Sequence, residues 1–179
     1  MGTINVDNIK NAAGGATGIT IDGAGNVFTP TRPMFRAFNT TAGGWSTVTH
    51  NEHQIMAFNG EVFDLGGNFS TSTYRFTCPV DGLYFFGARA YMHTDGGTLR
   101  FGIITGTTNP ATDESTFLAQ AYRSSNVTQR SGTLSCEAIT ELTAGTQVGA
   151  YVRHDADTNN SYYSENNTLY NHFEGYLIG

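Results

Sequence analysis

Hydrophobic residues recur at every second position along much of this chain. In "TLRFGII" Leu99, Phe101 and Ile103 fall on one side of an extended backbone, and in "TLSCEAITEL" Leu134, Cys136, Ala138 and Leu142 do the same. Successive side chains of a strand point to opposite faces, so each stretch predicts a strand with one dry side. From Pro33 onward the runs "PMFRAF", "HQIMAF", "EVF", "YRFTCPV", "LYFFGARAYM", "TLRFGIIT", "STFLAQAYR", "GTLSCEAITEL", "TQVGAYVR" and "HFEGYLI" follow one another, separated by Gly, Asn, Asp and Pro. No helix-length amphipathic segment competes with them. About ten short strands with regular turn signals predict an all-β, antiparallel sandwich or barrel.

Two of the runs break the one-sided pattern. In "LYFFGARAYM" Leu83 and Phe85 occupy one face while Tyr84, Phe86, Ala88 and Met92 occupy the other, and in "GYLIG" Leu177 points one way and Tyr176 and Ile178 the other. A sandwich buries one face of each sheet, so a strand that is apolar on both sides asks for a second cover. A partner subunit supplies it most economically. Tyr84, Phe86, Tyr176 and Ile178 are the side chains expected at that intersubunit surface.

Residues 1–32 have a different texture and are expected to form an N-terminal arm, with residues 33–179 as the main domain. The arm is rich in Gly, Ala, Asn and Thr, has no aromatic residue before Phe28, and ends in "TPTRP", whose prolines stiffen its exit. Within it "ITI" and "NVF" flank "DGAG", which predicts a hairpin over Ile19–Phe28. A lone hairpin is marginal in water. Burying Ile19, Ile21, Val27 and Phe28 yields ~1.5–3 kcal/mol each against ~1–2 kcal/mol of ordering cost per backbone residue. These four side chains are therefore expected to dock on neighbouring copies or another protein; the same composition also suits a disordered segment.

Composition narrows the function. With 13% charged residues, nine Lys and Arg and a formal charge of −6, the chain lacks the basic surface that nucleic acid requires. No stretch approaches a membrane span, and "MGTINVDNIKNAAGG" has neither the basic nor the apolar region of a secretory signal, so a soluble, unexported chain is expected. Cys78 and Cys136 are too few and too far apart for a disulfide framework and are expected to be buried, reduced thiols.

Catalytic signatures are missing. There is no G-x-S-x-G elbow and no Walker A loop, and "GAGNVF" departs from G-x-G-x-x-G at its last position, so no enzyme is expected. "HNEH" brings His50, Glu52 and His53 together in sequence, but an extended chain sends His50 and His53 to opposite faces, so surface histidines are the reading adopted. In "DADTNNSYYSEN" Asp155, Asp157 and Asn159 reproduce the oxygen-ligand start of a calcium loop; Asn160 stands where that loop has Gly and Asn166 where it has the bidentate Glu. A solvated turn between the last two strands is expected there, with calcium as the alternative and no other cofactor. Tyr162 and Tyr163 beside these polar residues suit a recognition tip for carbohydrate or protein. N-x-[ST] triplets begin at Asn39, Asn68, Asn126, Asn159 and Asn166 and are read as compositional.

"FDLGGNFSTSTYRFTCPVDGLYFFGARAYM" resembles the globular head domain of complement component 1q, a jelly roll related to the tumour-necrosis-factor fold. Phe69, Phe76, Pro79, Gly82, Tyr84 and Phe86 fall on that family's characteristic positions. "LSCEAITELTAGTQVGAYV" is similar to its late hairpin, with Gly145 in the linking loop, and "FEGYLIG" resembles its closing strand through Phe173, Gly175, Tyr176 and Leu177. The resemblance implies a compact homotrimer. Members of that family usually follow a signal peptide and a collagen Gly-X-Y stalk, and residues 1–32 are expected to be neither, since their glycines keep no period of three. In their place "TINVDNIKNAAGGATGITIDGAGNVFTPTRP" resembles N-terminal segments of bacteriophage virion proteins such as tail fibres and head fibres. That likeness implies a virion component, a fibre tip, head fibre or decoration protein assembled in the host cytoplasm. Its arm would join a capsid or tail protein, and its head would meet a host-surface glycan or protein. A soluble, non-virion glycan- or protein-binding module of the complement-head type is the alternative.

Overall fold

The computed structural model describes residues 8–10, 17–29, 31–40, 44–94, 97–107, 116–125, 130–155, 160–164 and 170–179. The arm contributes β1 (Asn8–Lys10), β2 (Thr17–Ile21) and β3 (Val27–Phe28). Then follow β4 (Met34–Phe38), β5 (Gly44–Val48), β6 (Gln54–Ile55), β7 (Gly60–Leu65), β8 (Phe69–Ser70), β9 (Arg75–Thr77), β10 (Gly82–Thr94), β11 (Gly97–Thr105), β12 (Phe117–Ser125), β13 (Arg130–Leu142), β14 (Gln147–His154), β15 (Asn160–Ser164) and β16 (His172–Leu177). Beyond the expected strands are β1, β5, β8 and β15; β6 is only the two-residue core of "HQIMAF".

Strands β1, β2 and β3 pair in a small sheet of their own, and β4–β16 form a jelly-roll-like sandwich of two antiparallel sheets. The first runs β5-β15-β10-β16-β4-β7, with β13 also paired to β10; the second runs β12-β11-β14-β9-β8, with β6 paired to β14. The long strand β10 organises the first sheet. One of its edges pairs with β13 from Gly82 to Thr94, while the other is shared by β16 and then β15. In the gap between those two, the buried Asn171 side chain accepts the Tyr91 N–H at 2.8 Å, so the ladder loses no donor.

The core lies between the sheets and is aromatic. Phe35 stacks on Phe69 and Phe76, with centroids 4.8 and 4.9 Å away, and meets the edge of Phe173 at 4.9 Å. Phe76 of the second sheet also contacts Tyr84 and Phe86 of the first. Gly175 makes this packing possible: a Cβ there would come within 2.5 Å of the Phe86 ring. Tyr84, buried with its neighbours, keeps its hydroxyl satisfied by donating to the Val80 carbonyl at 2.8 Å.

Here the expectation for the intersubunit surface is corrected. Tyr84 and Phe86 are 0% exposed and are used inside the chain's own core. The register explains why the four residues cannot act together. Tyr84 lies opposite Leu177 and Phe86 opposite Gly175, both facing inward, whereas Tyr176 lies opposite Phe85 on the outer face. Ile178 is half-buried beyond the end of β16, where its N–H donates to the Leu83 carbonyl and its carbonyl accepts from Arg32 Nη2 at 2.7 Å.

Both cysteines are free thiols packed on apolar neighbours. Burial pushes Cys78 up to about 11 and Cys136 up to about 12, the latter helped by the Glu137 carboxylate. His154 is fully buried, its Nε2 lying 2.7 Å from the Val48 carbonyl oxygen. Burial lowers its pKa most; His50 and Arg153 push the same way, against the Val48 carbonyl and Asp155.

Three outcomes follow. At pH 8 both thiols should alkylate at least about a hundredfold more slowly in the folded chain than in denaturant, Cys136 the more slowly of the two, as mass spectrometry will show. Because folding lowers the His154 pKa, the unfolded state binds more protons on acidification. Stability should therefore be level above the ordinary histidine range and fall as pH drops through it, and His154→Gln should flatten melting curves collected from pH 7.5 to 5. Gly175→Ala should cost ~1–3 kcal/mol in chemical denaturation, because the sheet has no room for a methyl group against Phe86.

Candidate functional site

Alternation along β10 commits Tyr84, Phe86, Ala88, Ala90 and Met92 to the core, and the same period turns Leu83 and Phe85 outward. Each neighbouring strand adds an apolar residue in line with Phe85. Ile139 of β13 and Tyr176 of β16 lie opposite it, Met34 of β4 lies opposite Tyr176, and Leu65 of β7 lies opposite Met34. The result is a row, Leu65–Met34–Tyr176–Phe85–Ile139, across five strands on the outer face of the first sheet. None of the five is buried; Tyr176 is 43% and Ile139 65% exposed.

The row is ordered by its own packing. Phe85 stacks on Tyr176 with centroids 5.0 Å apart and planes 30° from parallel. Gly87, two residues along, leaves the Phe85 ring its space, since a Cβ there would sit 3.3 Å from that ring. The adjacent row holds Phe63, 40% exposed, and the ion pair Arg36–Glu174 at 3.5 Å, which borders the apolar surface with opposite charges. Fixed aromatic rings beside a polar margin are the anatomy of a protein-binding surface.

The residues singled out from the sequence fall in several places. Tyr176 is in the row. Phe85, Ile139, Met34 and Leu65 are its other members; the two-sided pattern of "LYFFGARAYM" set Phe85 apart from Tyr84 and Phe86, but the expectation fell on the latter pair. In the arm, Thr20 pairs with Phe28 and Ile21 with Val27, as the hairpin reading requires, and Asp22 closes the turn: its Oδ1 accepts the Ala24 and Asn26 N–H groups at 2.9 Å. β1 adds a third strand, placing Ile9 opposite Ile19. Ile19 and Ile21 are half-buried, while Ile9, Val27 and Phe28 are 52%, 64% and 51% exposed.

Tyr162 and Tyr163 lie in β15, paired between β5 and β10, so they belong to a strand and not to the expected loop. Asp157 and Asn159 lie outside the described residues. Asp155 is exposed and its Oδ1 accepts the Thr98 N–H. His50 and His53 are half-buried, which differs from the surface reading, and they diverge: the His50 ring meets His154 at 5.8 Å, the His53 ring meets Tyr151 at 5.4 Å. The left-handed backbone of Asn51, φ 58°, turns the chain between them. Among the described residues no three His, Cys, Asp or Glu converge as metal ligands. Asn39 is buried and donates to the Ala57 carbonyl at 2.8 Å, an arrangement that leaves no room for a glycan.

Known structures share this fold. The Eiger TNF of S. frugiperda superposes with a TM-score of 0.59 at 11% identity, covering 83% of this chain and 94% of that one. The globular domain of zebrafish complement 1qA gives 0.53 at 21% identity, covering 83% and 98%. Murine APRIL gives 0.57 at 9% identity, covering 82% and 99%. No curated protein sequence matches the chain. Residues 37–178, most of the sequence and the whole of both sheets beyond the first half of β4, match the C1q domain, and the chain therefore belongs to the C1q domain family.

Proposed function

We propose that this chain is the homotrimeric, non-enzymatic head of a bacteriophage virion structure, a fibre tip, head fibre or decoration protein assembled in the host cytoplasm. The single observation that carries self-association is the outer row of Leu65, Met34, Tyr176, Phe85 and Ile139, which the fold leaves in water. Covering such side chains is worth ~1.5–3 kcal/mol each when complete, and closed cyclic symmetry covers them without leaving a free surface. Domains of the C1q and TNF type typically associate as homotrimers, in keeping with this reading.

The virion part rests on residues 1–32. Their described strands form a sheet of their own, paired with neither sheet of the head, and it leaves Ile9, Val27 and Phe28 exposed. A free binding head has no use for such an appendage, whereas an anchoring arm does. A cleft where the arm meets the head, lined by Gly18, Thr29, Arg32, Pro33, Asn68 and Leu177, sits at the same end as the chain's exit into β4. In this reading capsid or tail protein takes the exposed edge of the arm, and the head faces the host surface.

Light scattering at micromolar concentration should return three times the 19.3 kDa chain mass. Ile139→Asp, at a position too exposed to matter for the fold, should shift that mass toward the monomer; a wild-type monomer would remove self-association. Deleting residues 1–32 should leave a soluble trimer with nearly unchanged melting that is absent from purified particles. Unfolding of the truncated head, or its normal incorporation, would overturn the anchoring role.

A further inference from the structure

The outer face of the second sheet carries a different row. Arg100 of β11 lies directly opposite Tyr122 of β12 on one side and Arg153 of β14 on the other. Side chains so placed share a face with Cβ atoms about 4.5–5.5 Å apart, and like charges in that relation repel. The chain has nine Lys and Arg and a net charge of −6, so two arginines side by side are no reflection of a generally basic surface. Beside them Tyr122 is 71% exposed, more than any other large hydrophobic side chain among the described residues. Thr98, Arg100, Gln120 and Tyr122 line a depression of about 280 Å³.

The margins of this row are braced. Arg153 Nη2 donates to Asn51 Oδ1 at 2.9 Å, and the Asn51 N–H donates in turn to the His154 carbonyl at 2.8 Å, so one guanidinium is held from the side. Gln120 Nε2 donates to the hydroxyl of the buried Tyr151. A guanidinium held in this way requires little ordering when a ligand arrives, and a tyrosine ring has few rotamers to lose.

We propose that Tyr122, Arg100 and Arg153 bind a carboxylate-bearing saccharide, with the sugar's C–H face on the Tyr122 ring and its carboxylate across the two arginines. A planar carboxylate matches the guanidinium fork, and an aromatic ring with one polar edge suits a ligand that is apolar on one face and hydroxylated at its rim. The net negative charge selects against a polyanion, whereas one carboxylate on an otherwise neutral sugar escapes that repulsion. The site deepens the host-surface part of the proposed function, but it lies on the other sheet from the Phe85–Tyr176 row and does not depend on self-association.

The test titrates the full-length chain with sialyllactose, with a glucuronate-containing disaccharide, and with lactose as the neutral control, followed by NMR, with light scattering on the same samples. Saturable binding of either acidic sugar, about tenfold tighter than lactose, is expected. Tyr122→Ala should weaken it about tenfold with unchanged melting, since the residue is largely exposed, and Arg100→Gln should erase the preference over lactose. Equal affinity for lactose, no saturable binding of either acidic sugar, or undiminished binding by Tyr122→Ala would overturn the proposal. Tighter binding of a Glu-rich hexapeptide than of both acidic sugars would also overturn it, reassigning the surface to an acidic protein partner. The mass recorded on the same samples reports trimer formation separately, so loss of one finding leaves the other readable.

Discussion

The aromatic contact between the two sheets constrains everything around it. Phe35, Phe173, Tyr84 and Phe86 from one sheet and Phe69 and Phe76 from the other fill the interior as interlocked rings, and dense packing of this kind tolerates neither a lost ring nor an added methyl. Gly175 shows how little freedom is left, since its missing side chain is the space that Phe86 occupies. Once Tyr84 and Phe86 are committed inward, the two-residue period leaves Phe85 no choice but the outside.

The outer row is thus a consequence of the core. Strand β10 is apolar on both faces, and only one can be satisfied within the chain. Pairing of β10 with β13 and β16, and of β16 with β4, then aligns Ile139, Tyr176 and Met34 with Phe85. None of these would be conspicuous alone. Together they form an apolar surface whose ordered pair, Phe85 on Tyr176, is assembled before any partner arrives.

The two sheets have opposite surface chemistry. The first presents a five-residue apolar row bordered by the Arg36–Glu174 pair; the second presents guanidinium groups and an exposed phenol. A head with a greasy flank on one sheet and a polar flank on the other can associate through the first while leaving the second accessible. The arm leaves from β4, itself part of the apolar row through Met34, so the proposed assembly face and the proposed anchor are neighbours.

Local patterns already specified much of this protein. Short apolar runs bounded by turn residues marked most of the head's strands, and alternation marked β11 and β13, because burial of one face imprints a two-residue period on the residues themselves. "DGAG" marked the arm's hairpin because its turn depends on Asp22 and the residues just after it. Strands β5 and β15 carry polar, small and aromatic residues without that period, and β1 and β8 are too short to show one, so their existence rests on neighbours. The two-sided character of "LYFFGARAYM" announced that one face would remain uncovered. Which face it would be, and that Tyr176 parts company with Tyr84 and Phe86, was decided only by the register between β10 and β16. The same holds for Arg100 and Arg153, far apart in the chain and adjacent across β11 and β14: side-chain period is a local property of a strand, whereas which strands pair, and in what register, is settled by packing the whole core at once.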